Sequence, residues 1–327
     1  MNEYELIRSL ASHFPRGPHQ RNALFECDAE IVLIEGKPWG MTMDEFTPED
    51  DHFTAADPMR LGRNLAAATL SDLFAAGAIP RFFLSALALP RGVKSEFADG
   101  LAAGLSAALA EAGCALCGGD LGTADVWRFT GFAMGPVASA RPLSRRVPAE
   151  PQALCVTGAF GDLNMAVLSG SPTPAIELRV AEAALIRAHA TACIDTSGGF
   201  MDALWLMHEQ SPGLRFAVDV DRLPLAPDAR AFAARSGVPA EAVLLGGAGE
   251  YELLFTVPAA GLDAVRSELS AAGITVVGEV TEAASGIVLN MRGRERPLSG
   301  PPPCPRSAAT TEEHALEVMR MARELFA

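Results

Sequence analysis

A mixed fold of two domains, α+β or α/β in class, is predicted by three features of the sequence. Strand-like apolar runs alternate with amphipathic helix-like runs along most of the chain, and a Pro- and Arg-rich segment, 136–151, breaks that alternation near the middle. The chain's 327 residues also exceed what one ordinary core organises. Residues 1–140 and 150–327 are therefore expected to form separate domains, with 136–151 as linker.

Composition narrows the class. With 49% hydrophobic and 20% charged residues the chain is globular, and no uncharged apolar stretch reaches the roughly 18 residues of a membrane span. Residues 1–10 are polar and acidic, unlike a secretory signal, so a cytoplasmic protein is expected. A net charge of −14 disfavours nucleic acid and anionic membrane as partners, and it leaves carboxylates available for divalent cations. The cysteines, Cys27, Cys114, Cys117, Cys155, Cys193 and Cys304, lack a disulfide pattern and read as reduced thiols. Cys114 and Cys117 form a lone CxxC without further zinc ligands, read here as the start of a buried strand.

Taken in order, residues 4–14 suit a short amphipathic helix, and strands 31–34 and 39–43 are joined by the turn Glu35-Gly36-Lys37-Pro38. Asp28 precedes the first strand and Asp44 follows the second, so antiparallel pairing brings both to one end of the ladder. Two carboxylates there repel unless a cation or proton lies between them. An acidic loop, 45–56, carries His52 and Phe53. It leads into DPMRLGRNLAAATLSDLFAAGAIP, 57–80, where Asp57 can N-cap, Pro58 suits the first turn, and Gly77 and Pro80 end the helix. Leu61, Leu65 and Ala68 share a face, and at roughly 100° per residue Asp72 returns to nearly the direction of Leu61. A carboxylate on that face must be capped, paired with a base or bound to a metal.

A strand at 81–89 and a helix at 95–112, ending at Gly113, come next. Strand 114–117 then runs into Gly118-Gly119-Asp120, where glycines let backbone N–H groups approach phosphate and the Asp can hold Mg²⁺. Strand 126–134 closes the first half. Beyond the linker come strand 153–157, a Gly turn, and helices 163–168 and 177–190. In Cys193-Ile194-Asp195-Thr196-Ser197-Gly198-Gly199-Phe200 a strand gives way to a helix, which sets Asp195 and Ser197 at a helix N-terminus suited to anions. Helix 201–210, strand 214–220 and helix 227–235 precede GGAGEYELLFT, a Gly loop feeding a strand. Helix 262–272, strand 275–280 and a helix at 310–326, with Thr310 and Glu313 in capping-box spacing, complete the chain. No Walker-type loop is present.

In this order, Asp28, Asp44, Ser71-Asp72, Gly118-Gly119-Asp120, the Asp195 motif and GGAGEYELLFT resemble the thiamine-monophosphate kinase branch of the aminoimidazole ribonucleotide (AIR) synthetase superfamily. The match runs over about 3–256. The family's GDDAA reads Glu26-Cys27-Asp28-Ala29-Glu30, its TD and HF resemble Met43-Asp44 and His52-Phe53, and SDxxAxGAxP is met from Ser71 to Pro80. Of GDDAA only the second Asp is kept, as Asp28, and in the second half two motifs depart: DxSDGL becomes DTSGGF, with Gly198 in place of an Asp, and GGEDYELL has Gly249 and Glu250 in place of Glu and Asp. The C-terminal helix carries no family motif.

The resemblance implies an AIR synthase-like fold whose N-terminal sheets join into a dimeric β-barrel, and hence a homodimer. It implies ATP- and Mg²⁺-dependent phosphoryl transfer to a small-molecule acceptor, thiamine monophosphate. Asp28, Asp44, Asp72, Asp120 and Asp195 would bind metal, with Asp44, Asp72 and Asp120 catalytic. Gly118, Gly119, Arg145 and Ser197 would meet ATP, and His52 and Phe53 the acceptor. The departures at Gly198 and Gly249 leave two alternatives, an enzyme of the superfamily with another small acceptor and a non-catalytic nucleotide-binding dimer.

Overall fold

A computed structural model describes residues 3–48, 53–236, 239–303 and 310–326. His52 lies outside the described residues. Helix α1 (Glu3–Ala11) stops ahead of the expected residue 14.

The first sheet begins as a hairpin of β1 (Glu30–Ile34) and β2 (Lys37–Phe46). Glu35 and Gly36, with φ of 51° and 77°, supply the left-handed pair that a two-residue turn requires. Helix α2 (Pro58–Ala75) starts as the sequence dictates: Asp57 Oδ1 accepts a hydrogen bond from Arg60 N at 3.1 Å, and Pro58 fills the first turn. Leu61, Leu65, Leu70 and Leu73 are fully buried, each stabilising by about 2 kcal/mol. Strand β3 (Phe82–Leu89), helix α3 (Ser95–Glu111) and strand β4 (Ala115–Thr123) form a parallel crossover, and β5 (Arg128–Pro136) pairs between β2 and β3. The sheet order is β1-β2-β5-β3-β4. Helices α2 and α3 cross where Gly62 meets the Leu101 carbonyl and Gly104 meets the Met59 carbonyl, so closely that a Cβ on either glycine would collide with backbone.

Three expectations change in this half. Asp44 lies inside β2 rather than beyond it. Gly118-Gly119-Asp120 lies inside β4, not in a turn after it, because a register shift opposite Phe83 and Leu84, with Gly118 at φ 152°, absorbs the glycines without ending the strand. The strand that begins after Cys114 is not buried: β4 is an edge strand exposed along its whole length, with Leu116 and Leu121 facing outward.

The second sheet comprises β6 (Gln152–Val156), β7 (Ala192–Asp195), β8 (Leu214–Asp219), β9 (Leu253–Pro258), β10 (Thr275–Glu282), β11 (Gly286–Met291) and β12 (Arg294–Leu298). Its order is β12-β11-β8-β10-β6-β9-β7, and among the described residues only strands β8 and β11 pair in parallel. This half is therefore mostly antiparallel, although strands and helices alternate along it. Alternation fixes which element follows, not which strands pair. Its helices are α4 (Asp162–Ser169), α5 (Val180–His189), α6 (Phe200–Glu209), α7 (Pro227–Ser236), α8 (Leu262–Ala271) and α9 (Thr311–Phe326). Glu313 N donates to Thr310 Oγ1 at 3.1 Å, one arm of the expected capping box.

Among the described residues neither sheet closes into a barrel. The segment between the sheets is packed down: Leu143 and Val147 are buried, and Arg145 N donates to Glu26 O at 2.7 Å. One buried cluster joins Leu65, Phe83 and Phe129 to Cys155, Cys193 and Phe255 across the two sheets. No helix among the described residues is long and apolar enough to cross a membrane.

Candidate active site

Three carboxylates converge where the two halves meet. Asp28 comes from the segment entering β1, Asp72 from the last turn of α2, and Asp195 from the end of β7. Each offers an oxygen, and these oxygens lie within 4.8 Å of one another. The chain holds each in place. Thr42 Oγ1 donates to Asp72 Oδ2, Ser71 Oγ donates to Asp195 Oδ2, and Ser197 Oγ donates to Asp195 Oδ1 at 2.8 Å. Arg145 donates from Nη2 at 2.7 Å and Nε at 3.2 Å to the same Asp28 oxygen, Oδ1. Asp28 Oδ2 is left buried with no hydrogen-bond partner among the described residues.

Electrostatics follow from that crowding. Burial raises the Asp28 carboxyl to about 6, against the opposing pull of Arg145. Burial also pushes Asp72 well above the usual carboxylate range, and Asp44, Asp195 and Asp28 push it further against the Thr42 hydrogen bond. One guanidinium cannot balance three carboxylates. An all-oxygen set with an orphaned buried oxygen fits a hard divalent cation such as Mg²⁺, which takes carboxylate ligands and keeps waters.

Of the other expected residues, some border the three carboxylates and some lie apart from them. Asp44, on β2 opposite Gly131, stands close enough to raise Asp72 electrostatically but is outside the convergent set. Gly118, Gly119 and Asp120 lie on exposed β4, and Asp120 is not among the three converging carboxylates. Ser197 orients Asp195, and Arg145 is engaged with Asp28. Phe53 is buried, its ring 5.8 Å from Phe46 and 6.3 Å from Tyr251.

The sequence reading missed the residues that hold the Asp195 loop. Thr196 Oγ1 accepts from Glu252 N at 2.9 Å, Thr196 N donates to Glu252 O at 2.9 Å, and Glu250 N donates to Thr196 O at 3.1 Å. The buried Glu252 carboxylate in turn pairs with Arg179 and accepts from Thr157 Oγ1. Glu250 caps α4, accepting from Gly161 N at 3.0 Å, Leu163 N at 3.2 Å and Asn164 Nδ2 at 2.9 Å. Burial raises its carboxyl to about 7 against those donors. The only sequence signal for this lacing was the pair of glutamates flanking Tyr251 among apolar residues.

Both motif departures are filled locally. A Cβ on Gly198 would collide with the Asp202 carboxylate, and one on Gly249 would stand 2.6 Å from Ser197 O and 2.8 Å from the Tyr251 ring. Tyr251 holds its ring there at φ 54°, a conformation costly for a residue with a Cβ.

Residues 27–137 match the family model for the N-terminal domain of AIR synthase related proteins. A solved protein of Thermus thermophilus superposes with a TM-score of 0.76 at 26% identity, covering 90% of this chain and 98% of that one. AaThiL, solved in complex with AMPPCP and TMP, superposes with a TM-score of 0.73 at 20% identity, covering 90% and 94%. The thiamine-monophosphate kinase of Salmonella typhimurium is 30% identical over 79% of this chain and 84% of its own length. With that identity over most of a relative's length, and with the matching domain and fold, this chain belongs to the thiamine-monophosphate kinase family of AIR synthase related proteins.

Proposed function

We propose that the protein transfers the γ-phosphoryl group of ATP to thiamine monophosphate, forming thiamine diphosphate and ADP, with Mg²⁺ held at Asp28, Asp72 and Asp195. The observation that carries this reading is the convergence of three carboxylate oxygens within 4.8 Å, one carboxylate keeping a buried, unpartnered oxygen. Family membership supplies the substrates.

In this reaction a phosphate oxygen of the acceptor bonds to the γ-phosphorus while the bond to the β,γ-bridging oxygen breaks, and that bridging oxygen leaves with ADP. Phosphoryl transfer needs alignment and charge neutralisation more than a covalent catalyst, which suits a site without a Walker loop. Mg²⁺ bound at the carboxylates supplies the neutralising charge. The chain's own groups do the positioning. Thr42 aims Asp72, Ser71 and Ser197 aim Asp195, and Arg145 offsets the charge of Asp28. Asp44 adds a carboxylate on the Asp72 side; His52 is the residue assigned to the acceptor, with Phe53, packed against Phe46 and Tyr251, acting behind it rather than in contact.

We also read residues 1–140 as a dimerising unit and 150–327 as its companion. An edge strand with Leu116 and Leu121 exposed, beside Phe82 and Leu84 on β3, supports pairing with a second copy into a barrel, as exposed apolar patches of this kind mark interaction surfaces. That arrangement would give Gly118, Gly119 and Asp120 a role at the joint between subunits.

Phosphorus NMR of ATP, Mg²⁺ and thiamine monophosphate with the purified protein tests the reaction. ADP and thiamine diphosphate should appear in equal amounts. Intact ATP, or ADP without thiamine diphosphate, would overturn the assignment.

A further inference from the structure

The segment that supplies Arg145 also borders a cavity away from the carboxylates. Arg145 engages Asp28, whereas its neighbours Ser144 and Arg146 line a cavity of about 460 Å³, together with Arg141 and, from the segment entering β1, Arg21. Cys27 lines the same cavity, and the next residue, Asp28, belongs to the carboxylate centre. The two places adjoin at Cys27 and Asp28, beside the hydrogen bond from Arg145 N to Glu26 O at 2.7 Å, and none of the three carboxylates lines the cavity.

The charge of this cavity runs against that of the chain. Arg21, Arg141 and Arg146 are exposed, and none has a carboxylate within ion-pair distance among the described residues; Arg141 donates only to the Thr191 carbonyl, at 3.3 Å. The one acidic side chain in the lining, Glu26, is occupied in accepting from Ala23 N at 2.6 Å. Three guanidiniums facing one carboxylate is an unusual concentration in a protein of net charge −14. Guanidinium forks match phosphate oxygens, and Ile31 and Val147 add an apolar wall. The volume falls within the roughly 300–1,000 Å³ of small-molecule sites.

We propose that this cavity is a second ligand site, separate from the carboxylate centre, and that it takes a small organic phosphate, the arginines gripping the phosphate and the apolar wall covering the organic part. Titration calorimetry in EDTA isolates it, because without a divalent cation the three converging carboxylates repel phosphate. The probes are phenyl phosphate and inorganic phosphate. One equivalent of phenyl phosphate should bind the full chain, more tightly than inorganic phosphate. Arg21→Gln and Arg146→Gln should each weaken it about tenfold or more, the scale of a lost charge-assisted hydrogen bond. Both arginines are exposed and unpaired, so these variants should melt at the wild-type temperature, and Asp72→Asn should leave phenyl phosphate binding unchanged. The proposal fails if no saturable binding occurs, if the arginine variants bind as wild type does, if Asp72→Asn abolishes binding, or if inorganic phosphate binds as tightly as phenyl phosphate.

Discussion

Asp28 uses one oxygen for Arg145 and keeps the other buried and unpartnered, a costly state for the protein alone. Asp72→Asn preserves shape but removes a charge from the same cluster. It should weaken Mg²⁺-dependent ATP binding by about 100-fold while leaving the circular dichroism spectrum intact; unchanged titration of Mg-ATP would remove Asp72 from the site. The raised carboxyls also carry a pH signature. Asp28 rises from an ordinary value of 3.8 to about 6 on folding, so the folded state binds the extra proton. Its favourable contribution is complete below about pH 4 and is lost as pH climbs through about 6. Asp72 moves in the same direction. Metal-free protein should therefore melt at a lower temperature at about pH 7.5 than at about pH 5, with Mg²⁺ reversing the loss at the higher pH. Calorimetric melts with and without EDTA check this. The carboxylates themselves were legible in the sequence, because charge set among Gly and apolar residues requires a partner. Their partners were not: Ser71 and Asp195 lie 124 positions apart, and Arg145 and Asp28 lie 117 apart.

At the scale of elements, the α2–α3 crossing depends on glycine. Gly104→Ala would push a methyl group into the Met59 carbonyl and force the helices apart. A loss of about 1–3 kcal/mol, the usual cost of overpacking, is expected in urea unfolding, whereas Ala at exposed Gly92, a left-handed turn with open space around it, should cost less. Helix α2 itself was readable from Asp57 to Gly77 because its cap, its apolar face and its stop are all local. Strand β4 was not, since two glycines look like a turn until the parallel neighbour β3 is known; Gly119 sits so close to the Ser85 carbonyl that no side chain fits there. The β11–β12 hairpin was overlooked although its signals are present. Residues of β11 alternate between buried and half-buried, and Arg292 and Gly293, at φ 51° and 73°, form the tight turn.

For the whole molecule, the exposed apolar edge predicts association. Leu121→Asp on β4 should convert a dimer in light scattering into a monomer with unchanged far-ultraviolet circular dichroism, because the Leu121 side chain is 72% exposed. A wild-type protein that is already monomeric would remove β4 as the interface. The two-sheet organisation could be read from alternation and the central Pro- and Arg-rich stretch. The antiparallel order of the second sheet could not, because pairing across a sheet is set by contacts distant in sequence. The buried cluster shared by the two sheets also bears on how such a protein can change over generations. Helix α2 of the first half packs against β7 and α5 of the second, and the three carboxylates straddle that contact. A crossover within 136–151 would mate two surfaces shaped for other companions and would split the three converging carboxylates between unrelated parents. The halves are thus poor interchangeable cassettes, and novelty is confined to replacements made in place, such as those at Gly198 and Gly249, where neighbouring side chains already fill the vacated space.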